Sequence, residues 1–277
     1  MTRLLFEPAA SRAPPAEMKP VRDYLSFSSI RTYQTCPLKY FFKYIAGLPE
    51  ESVSASLVFG SGIHRAIEHL YRQQMIGGVA PGVDELLTHY QAEWQERDAK
   101  PVRFGREDDA AALTGLAARM LTAFRDSELA KPSGTILAIE EELRGSIIPG
   151  LPDLLGRVDL IVETPNELVV SDWKTSRSRW SAEQVEESTE QLLLYSELAA
   201  DFAPGKPVRI EFAVLTKTKT VAIEQHSVAV QQAPVERMKR VVERVWHAID
   251  AEHFYPAPSP IACGGCPFRD PCRQWPG

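Results

Sequence analysis

The chain has no stretch of about 18 consecutive apolar residues, so no transmembrane helix is expected. Its opening segment, MTRLLFEPAASRAPPAEMKP, offers only the short Leu4, Leu5, Phe6 cluster where a signal peptide needs a longer apolar core, and a cytoplasmic location is expected. Cysteine is scarce, four in 277 residues, which excludes a disulfide-dense scaffold. There is no surplus of positive charge: 31 Lys and Arg against 37 Asp and Glu leave −6. That balance argues against indiscriminate coating of nucleic acid, while a local basic groove stays open. No G-x-x-x-x-G-K-[ST] phosphate loop occurs, so the chain carries no nucleotide-driven motor of that type. No internal repeat is visible. With 44% hydrophobic and 25% charged residues, what remains is an ordinary globular composition with ample chain to bury a core.

Residues 1–22, rich in Ala and Pro, read as a disordered arm, and residues 23–277 as a single domain. Its first part, about 28–130, is helical. Ser28 or Ser29 can cap a short helix over IRTYQT, an aromatic helix LKYFFKYI follows, and helical spacing continues over 57–75, 83–98 and 107–129. The period then changes. Segments 135–143, 155–163 and 167–173 read as strands, 183–200 as a helix, and 207–216 and 221–229 as strands. A final helix over 234–252 leads into a tail holding three of the cysteines. The order β-β-β-α-β-β with helices before and after predicts an α/β fold with a mixed central sheet flanked by helices.

The segment LLGRVDLIVETPNELVVSDWKTSR carries the chemistry. A hairpin closed between Pro165 and Asn166 pairs residues whose numbers add to 331, which sets Asp159 opposite Asp172. Lys174 lies two residues on and shares the face of Asp172. Opposed strand positions bring Cβ atoms to about 4.5–5.5 Å, where like charges repel. Two carboxylates facing each other among valines and leucines need a cation between them, and a divalent metal is the simplest. The competing reading is two aspartates at solvated strand ends. Asp is a hard oxygen ligand suited to Mg2+ or Mn2+, and such a site suits metal-assisted phosphodiester hydrolysis, with a lysine placing the water.

The run G-R-V-D159 followed by D172-W-K174 resembles the motif of the PD-(D/E)XK nuclease superfamily, with Asp in place of the commoner second Glu. Further matches point to its RecB-like branch, which includes the AddB nuclease domain, exonuclease V and the CRISPR-associated spacer-acquisition nucleases. His64 in FGSGIHRAIE resembles the upstream histidine metal ligand, and Gln191 and Tyr195 in QLLLYS match the Q-x-x-x-Y motif. Cys36, Cys263, Cys266 and Cys272 match the iron–sulfur variant. The resemblance implies a restriction-endonuclease-like core clipped by a cluster between its two ends. It also implies Mg2+ or Mn2+ held by Asp159, Asp172, His64 and the Trp173 backbone carbonyl, with Lys174 activating water and Gln191 and Tyr195 contacting the scissile phosphate region. The implied activity is DNA cleavage, single-strand or end-directed, in spacer-precursor processing or in repair, with an integrase or helicase as possible partner. A non-catalytic DNA-end-binding scaffold of the same fold is the alternative.

Each of these residues has a blander reading. His64 can be a satisfied helix residue, and Glu68, four residues on, shares its face either as an orienting partner or as a solvated glutamate. Gln191 and Tyr195, also four apart, can be a polar edge beside a leucine core. Four thiolates with a tight C-x2-C suit zinc or a [4Fe-4S] cluster; spacing leaves both open, and the family pattern favours the cluster. For contact with DNA phosphates, Arg177, Arg179, Lys217 and Lys219 are the candidates.

Overall fold

A computed structural model describes residues 22–96, 100–105 and 109–276. The expected disordered arm therefore lies outside the described residues, apart from Arg22. Strand β1 (Tyr24–Ser26) runs straight into helix α1 (Phe27–Thr35). The helix starts earlier than the sequence suggests because Ser26 is its cap: the Ser29 N–H donates to the Ser26 hydroxyl and the Ser26 N–H to the Ser29 hydroxyl. After Cys36 a short α2 (Pro37–Tyr40) passes into a π-helical turn, Phe41–Ile45. Next come β2 (Val53–Ser54), α3 (Ala55–Met75), α4 (Val83–Glu96), β3 (Val102–Arg103) and α5 (Ala110–Arg125).

The sheet is built from β4 (Thr135–Gly145), β5 (Asp153–Glu163), β6 (Leu168–Ser176), β7 (Val208–Thr216) and β8 (Ile223–Ala229), with α6 (Ala182–Ala199) joining β6 to β7. Helix α7 (Gln232–Asp250) and the short α8 (Pro260–Gly264) and α9 (Arg269–Arg273) complete the chain. Strand order is β1-β5-β6-β7-β8 with β4 also on β5. Pairs β1·β5 and β6·β7 are parallel, and β4·β5, β5·β6 and β7·β8 antiparallel. The parallel β6·β7 pair demands a crossover, which α6 supplies. This is the mixed, helix-flanked sheet that the order of elements predicts.

Two cores sandwich the sheet. One holds α6 and α7 residues such as Leu192, Leu194, Met238 and Val242 against Val158, Ile161, Val170 and Phe212. The other holds Phe59, Ile63, Ile67, Leu121 and Phe124 from α3 and α5 against Leu160, Val169, Trp173 and Leu215. A third, small cluster joins Leu38, Phe42 and Phe268 beside Cys36, Cys266 and Cys272. Among the described residues no helix is long and apolar enough to cross a membrane.

Candidate functional site

The hairpin register is the expected one. Leu160 pairs with Ser171, Ile161 with Val170, Val162 with Val169 and Glu163 with Leu168, each pair adding to 331. The ladder stops one step short of Asp159 and Asp172. There the Asp159 carboxylate takes over, its Oδ2 accepting the Trp173 N–H at 2.6 Å.

On the other side of β5 the register of β4 shifts between Ile136 and Ala138 and then holds. Ile139 faces Leu160 and Glu141 faces Val158, which leaves Glu140 and Asp159 between them. Glu140 has φ +50°, in the left-handed region that costs a side-chain-bearing residue about 1–2 kcal/mol. Both strands change face here. Val158 and Leu143 pack under α6 and α7, whereas Leu160 and Ile139 pack under α3 and α5. Regular alternation would keep 158 and 160 together. The twist of the strand pair sends the Glu140 and Asp159 carboxyls towards α3, where His64 meets them.

His64 Nε2 donates to the Trp173 carbonyl at 2.6 Å, and Nδ1 lies 3.3 Å from Glu140 Oε1 and 3.5 Å from Asp159 Oδ2. Burial pushes the imidazole pKa down, but the Asp159 charge and hydrogen bonds to Asp159 and Glu140 prevail and raise it to about 10. Ligand atoms of His64, Glu140 and Asp159 all lie within 4.8 Å of one another, close enough to share one ion. Glu140 is in turn held by Arg157, whose Nε is 3.3 Å from Oε2. Glu68 is not the partner of His64: it accepts a 2.7 Å hydrogen bond from Arg72, one turn on.

Asp172 is buried, and Lys174 Nζ donates to its Oδ1 at 2.8 Å. The same ammonium stands 2.6 Å from Oδ2, yet at an angle that leaves this buried oxygen without a hydrogen bond. Burial raises the Asp172 pKa above the usual carboxylate range, Lys174 opposes this, and the Asp159 charge adds to it. Burial also acts to raise Asp159, but His64, Lys174 and the Trp173 N–H bring it below the usual range. For Lys174 burial works downward and the two aspartates prevail, lifting it. The two carboxyls are thus driven apart, as neighbouring acids in one low-dielectric site are.

Helix α6 closes the site from the other core. The Tyr195 ring lies against Gly156, where a Cβ would come within 2.4 Å of its Cε1. The glycine of G-R-V-D is needed for this close approach. Burial raises the Tyr195 pKa against a hydrogen bond from Gln191, and Asp172, Lys174 and Asp159 are near enough to act on it. Gly60, Ser61 and His64 of α3, with Glu140, Arg157 and Lys174, line an open cleft of about 780 Å³.

The sequence profile of the PD-(D/E)XK nuclease superfamily matches residues 24–273. The chain belongs to that superfamily. Among solved structures, a protein named "Putative exonuclease" from Eubacterium rectale superposes with a TM-score of 0.58 at 16% identity, over 91% of this chain and 88% of the other. At that identity the likeness shows the fold. A second structure, named SSO0001, covers 87% of this chain and 92% of its own with a TM-score of 0.36 and 14% identity, which carries no argument. No curated protein matches in sequence.

The structure brings Asp159, Asp172, Lys174, His64 and the Trp173 carbonyl to one place, with Tyr195 and its partner Gln191 beside them on α6. Glu140 and Arg157 lie against the same group and were not singled out from the sequence. Glu140 sits in the run Glu140-Glu141-Glu142, and alternation alone cannot say which of the three turns inward.

The four cysteines form no disulfide, and all of them line one cavity of about 60 Å³ with Leu38, Phe42 and Phe268. Burial and the charges of Cys36, Cys266 and Cys263 raise the Cys272 thiol. They are not drawn into the arrangement of a ligand set, since among the described residues no three of their sulfurs lie within 4.8 Å of one another. Of the four candidate DNA contacts, Lys217 stands 4.7 Å over the Phe59 ring, and its N–H donates to the Ser176 carbonyl at the end of β6 that carries Lys174. Arg177 and Lys219 are exposed on the turns leaving β6 and β7, and Arg179 is tied to Glu224 at 2.9 Å.

Proposed function

We propose that this nuclease hydrolyses DNA, single-stranded or from an end, with Mg2+ or Mn2+ bound by His64, Glu140, Asp159, Asp172 and the Trp173 carbonyl. One observation carries the reading: Asp172 keeps a buried oxygen without a hydrogen bond beside a second buried carboxylate. With only the poorly aligned Lys174 ammonium beside it, this acceptor costs about 1–3 kcal/mol, and a hard divalent cation shared with Asp159 would satisfy it. A pure scaffold has no use for it. When bound, such an ion neutralises charge on the phosphoryl oxygens and makes water a stronger acid.

The chain's own groups do the rest. Lys174 Nζ, held by Asp172, presents its remaining protons to the attacking water or the developing charge. His64 must surrender a proton before either nitrogen can ligate, so metal uptake releases a proton. Tyr195 and Gln191, fixed by the Gly156 contact, offer a phenol and an amide to the phosphate. Arg177, Lys217 and Lys219 steer the backbone of the strand.

For the cysteines the reading is a [4Fe-4S] cluster clipping the tail to α1 and α2. Convergence of four thiols on one apolar cavity supports a shared group. A single zinc is the poorer fit, because tetrahedral thiolates sit roughly 3.8 Å apart around it. Biological settings consistent with this chemistry are end trimming in repair and spacer-precursor processing beside an integrase.

Linear and circular single-stranded DNA, offered with Mn2+, separate the modes. Degradation of the linear strand with the circle intact is expected. Cutting of the circle would replace the end-directed reading by an endonuclease.

A further inference from the structure

Behind the metal site, on the α3 face of the sheet, lies a second cavity of about 260 Å³. Trp173 lines both this cavity and the catalytic cleft. Its floor is Leu160, Val162, Val169 and Ala213 on β5, β6 and β7. Tyr71, stacked on Trp173 at 5.4 Å and 16°, forms a wall.

The rim is polar, with Glu128, Lys131, Ser171, Arg209, Glu211 and Gln225 around the apolar floor. Ser171 is only 3% exposed and lines the cavity. Its neighbour across the β6·β7 ladder is Glu211. Arg209 and Gln225 both bond to Glu211 Oε2, at 2.8 and 2.6 Å, which leaves Oε1 free to accept. The Ser171 hydroxyl and Glu211 Oε1 thus stand side by side on the cavity wall, one able to donate and the other to accept. The volume is below the range of about 300–1,000 Å³ for drug-sized ligands, so the occupant is small. Aliphatic floor and aromatic wall ask for a flat ring. A hydroxyl and a carboxylate oxygen on one edge ask for a ring whose rim carries an N–H donor beside an acceptor.

We propose that this cavity binds a nucleobase bearing an exocyclic amino group, with the amine on Glu211 Oε1 and a ring nitrogen on the Ser171 hydroxyl. The choice of a nucleobase among flat heteroaromatics rests on the nuclease reading. The base can come from a free nucleoside or from a strand held in the cleft.

The test is calorimetric titration of the full-length protein, in chelator, with deoxyadenosine and with purine 2′-deoxyriboside, which lacks the amine. Expected are a Kd of roughly 0.1 mM for deoxyadenosine, an ordinary affinity for a ligand of that size, and at least about tenfold weaker binding of the amine-free ring. Ala213→Leu, which fills the floor, abolishes binding. Gln225→Ala, at the exposed edge strand, changes it by several-fold and guards against a misfolded Ala213→Leu. Weaker binding of a short oligo-dA by Ala213→Leu assigns the base to the strand, and unchanged oligonucleotide binding assigns it to a free nucleoside. Equal affinity for both rings, or binding indifferent to both substitutions, overturns the site. Failure here leaves cleavage untouched: a protein that cuts DNA without binding deoxyadenosine refutes this cavity alone, and one that binds it without cutting refutes the nuclease alone.

Discussion

Asp172 and Asp159 are chemically identical and electrostatically opposite. Asp172 titrates above the usual carboxylate range, so its protonated form favours the fold, and that contribution is lost as pH rises through the raised value. Asp159 titrates below it, so its contribution exists above the ordinary pKa and is lost as pH falls through the depressed value. In chelator at mildly alkaline pH, Asp172→Asn is therefore expected to melt higher than wild type by about 2–4 °C, roughly the effect of 1 kcal/mol in a chain of this size. Asp159→Asn should melt lower. At acid pH the Asp172→Asn gain should vanish, and thermal unfolding at the two pH values reads all three. A gain at acid pH alone would refute the charge assignment. At the same scale, Gly156→Ala should cost about 1–3 kcal/mol by overpacking against Tyr195, and should slow cleavage as well. Denaturant unfolding beside a cleavage assay checks this.

Among the elements, the hairpin β5–β6 was legible because the Thr164–Glu167 turn sets its register without help from the rest of the chain. His64, Gln191 and Tyr195 were legible only through their spacing and a family pattern, since a helical histidine has no local mark of ligation. Glu140 was not legible. Its inward turn depends on a left-handed residue and a change of face in both β4 and β5, which is a tertiary outcome that no alternation rule encodes. Helix α1 began early because its capping serine lay two residues before those that composition suggested. Glu140→Gln should weaken Mn2+ binding by about tenfold or more, while Glu141→Gln, on the exposed side, should leave it unchanged. Titration of Mn2+ by electron paramagnetic resonance distinguishes them, and equal effects would remove Glu140 from the site.

At the scale of the whole molecule, the two ends of the chain meet. The Tyr33 hydroxyl donates to the His253 carbonyl at 2.7 Å, the Leu38 N–H to the Tyr255 carbonyl at 3.0 Å, and the Ala257 N–H reaches Cys36 Sγ at 3.5 Å. A shared group on the four thiols would make its binding energy part of the folding energy. Cys272→Ala, purified without air, should then lose visible absorbance and unfold at lower temperature than wild type. A colourless wild type carrying one zinc would overturn the cluster. The proposed chemistry turns on the acid pair Asp159 and Asp172. The measurement that tests it most directly is cleavage of end-labelled DNA by wild type and Asp172→Ala, each with Mn2+, Mg2+ or chelator. Metal-dependent cleavage by wild type, lost by at least about 10²–10³-fold in a folded Asp172→Ala, is predicted. Cleavage that persists in chelator, or an Asp172→Ala protein as active as wild type, would contradict it.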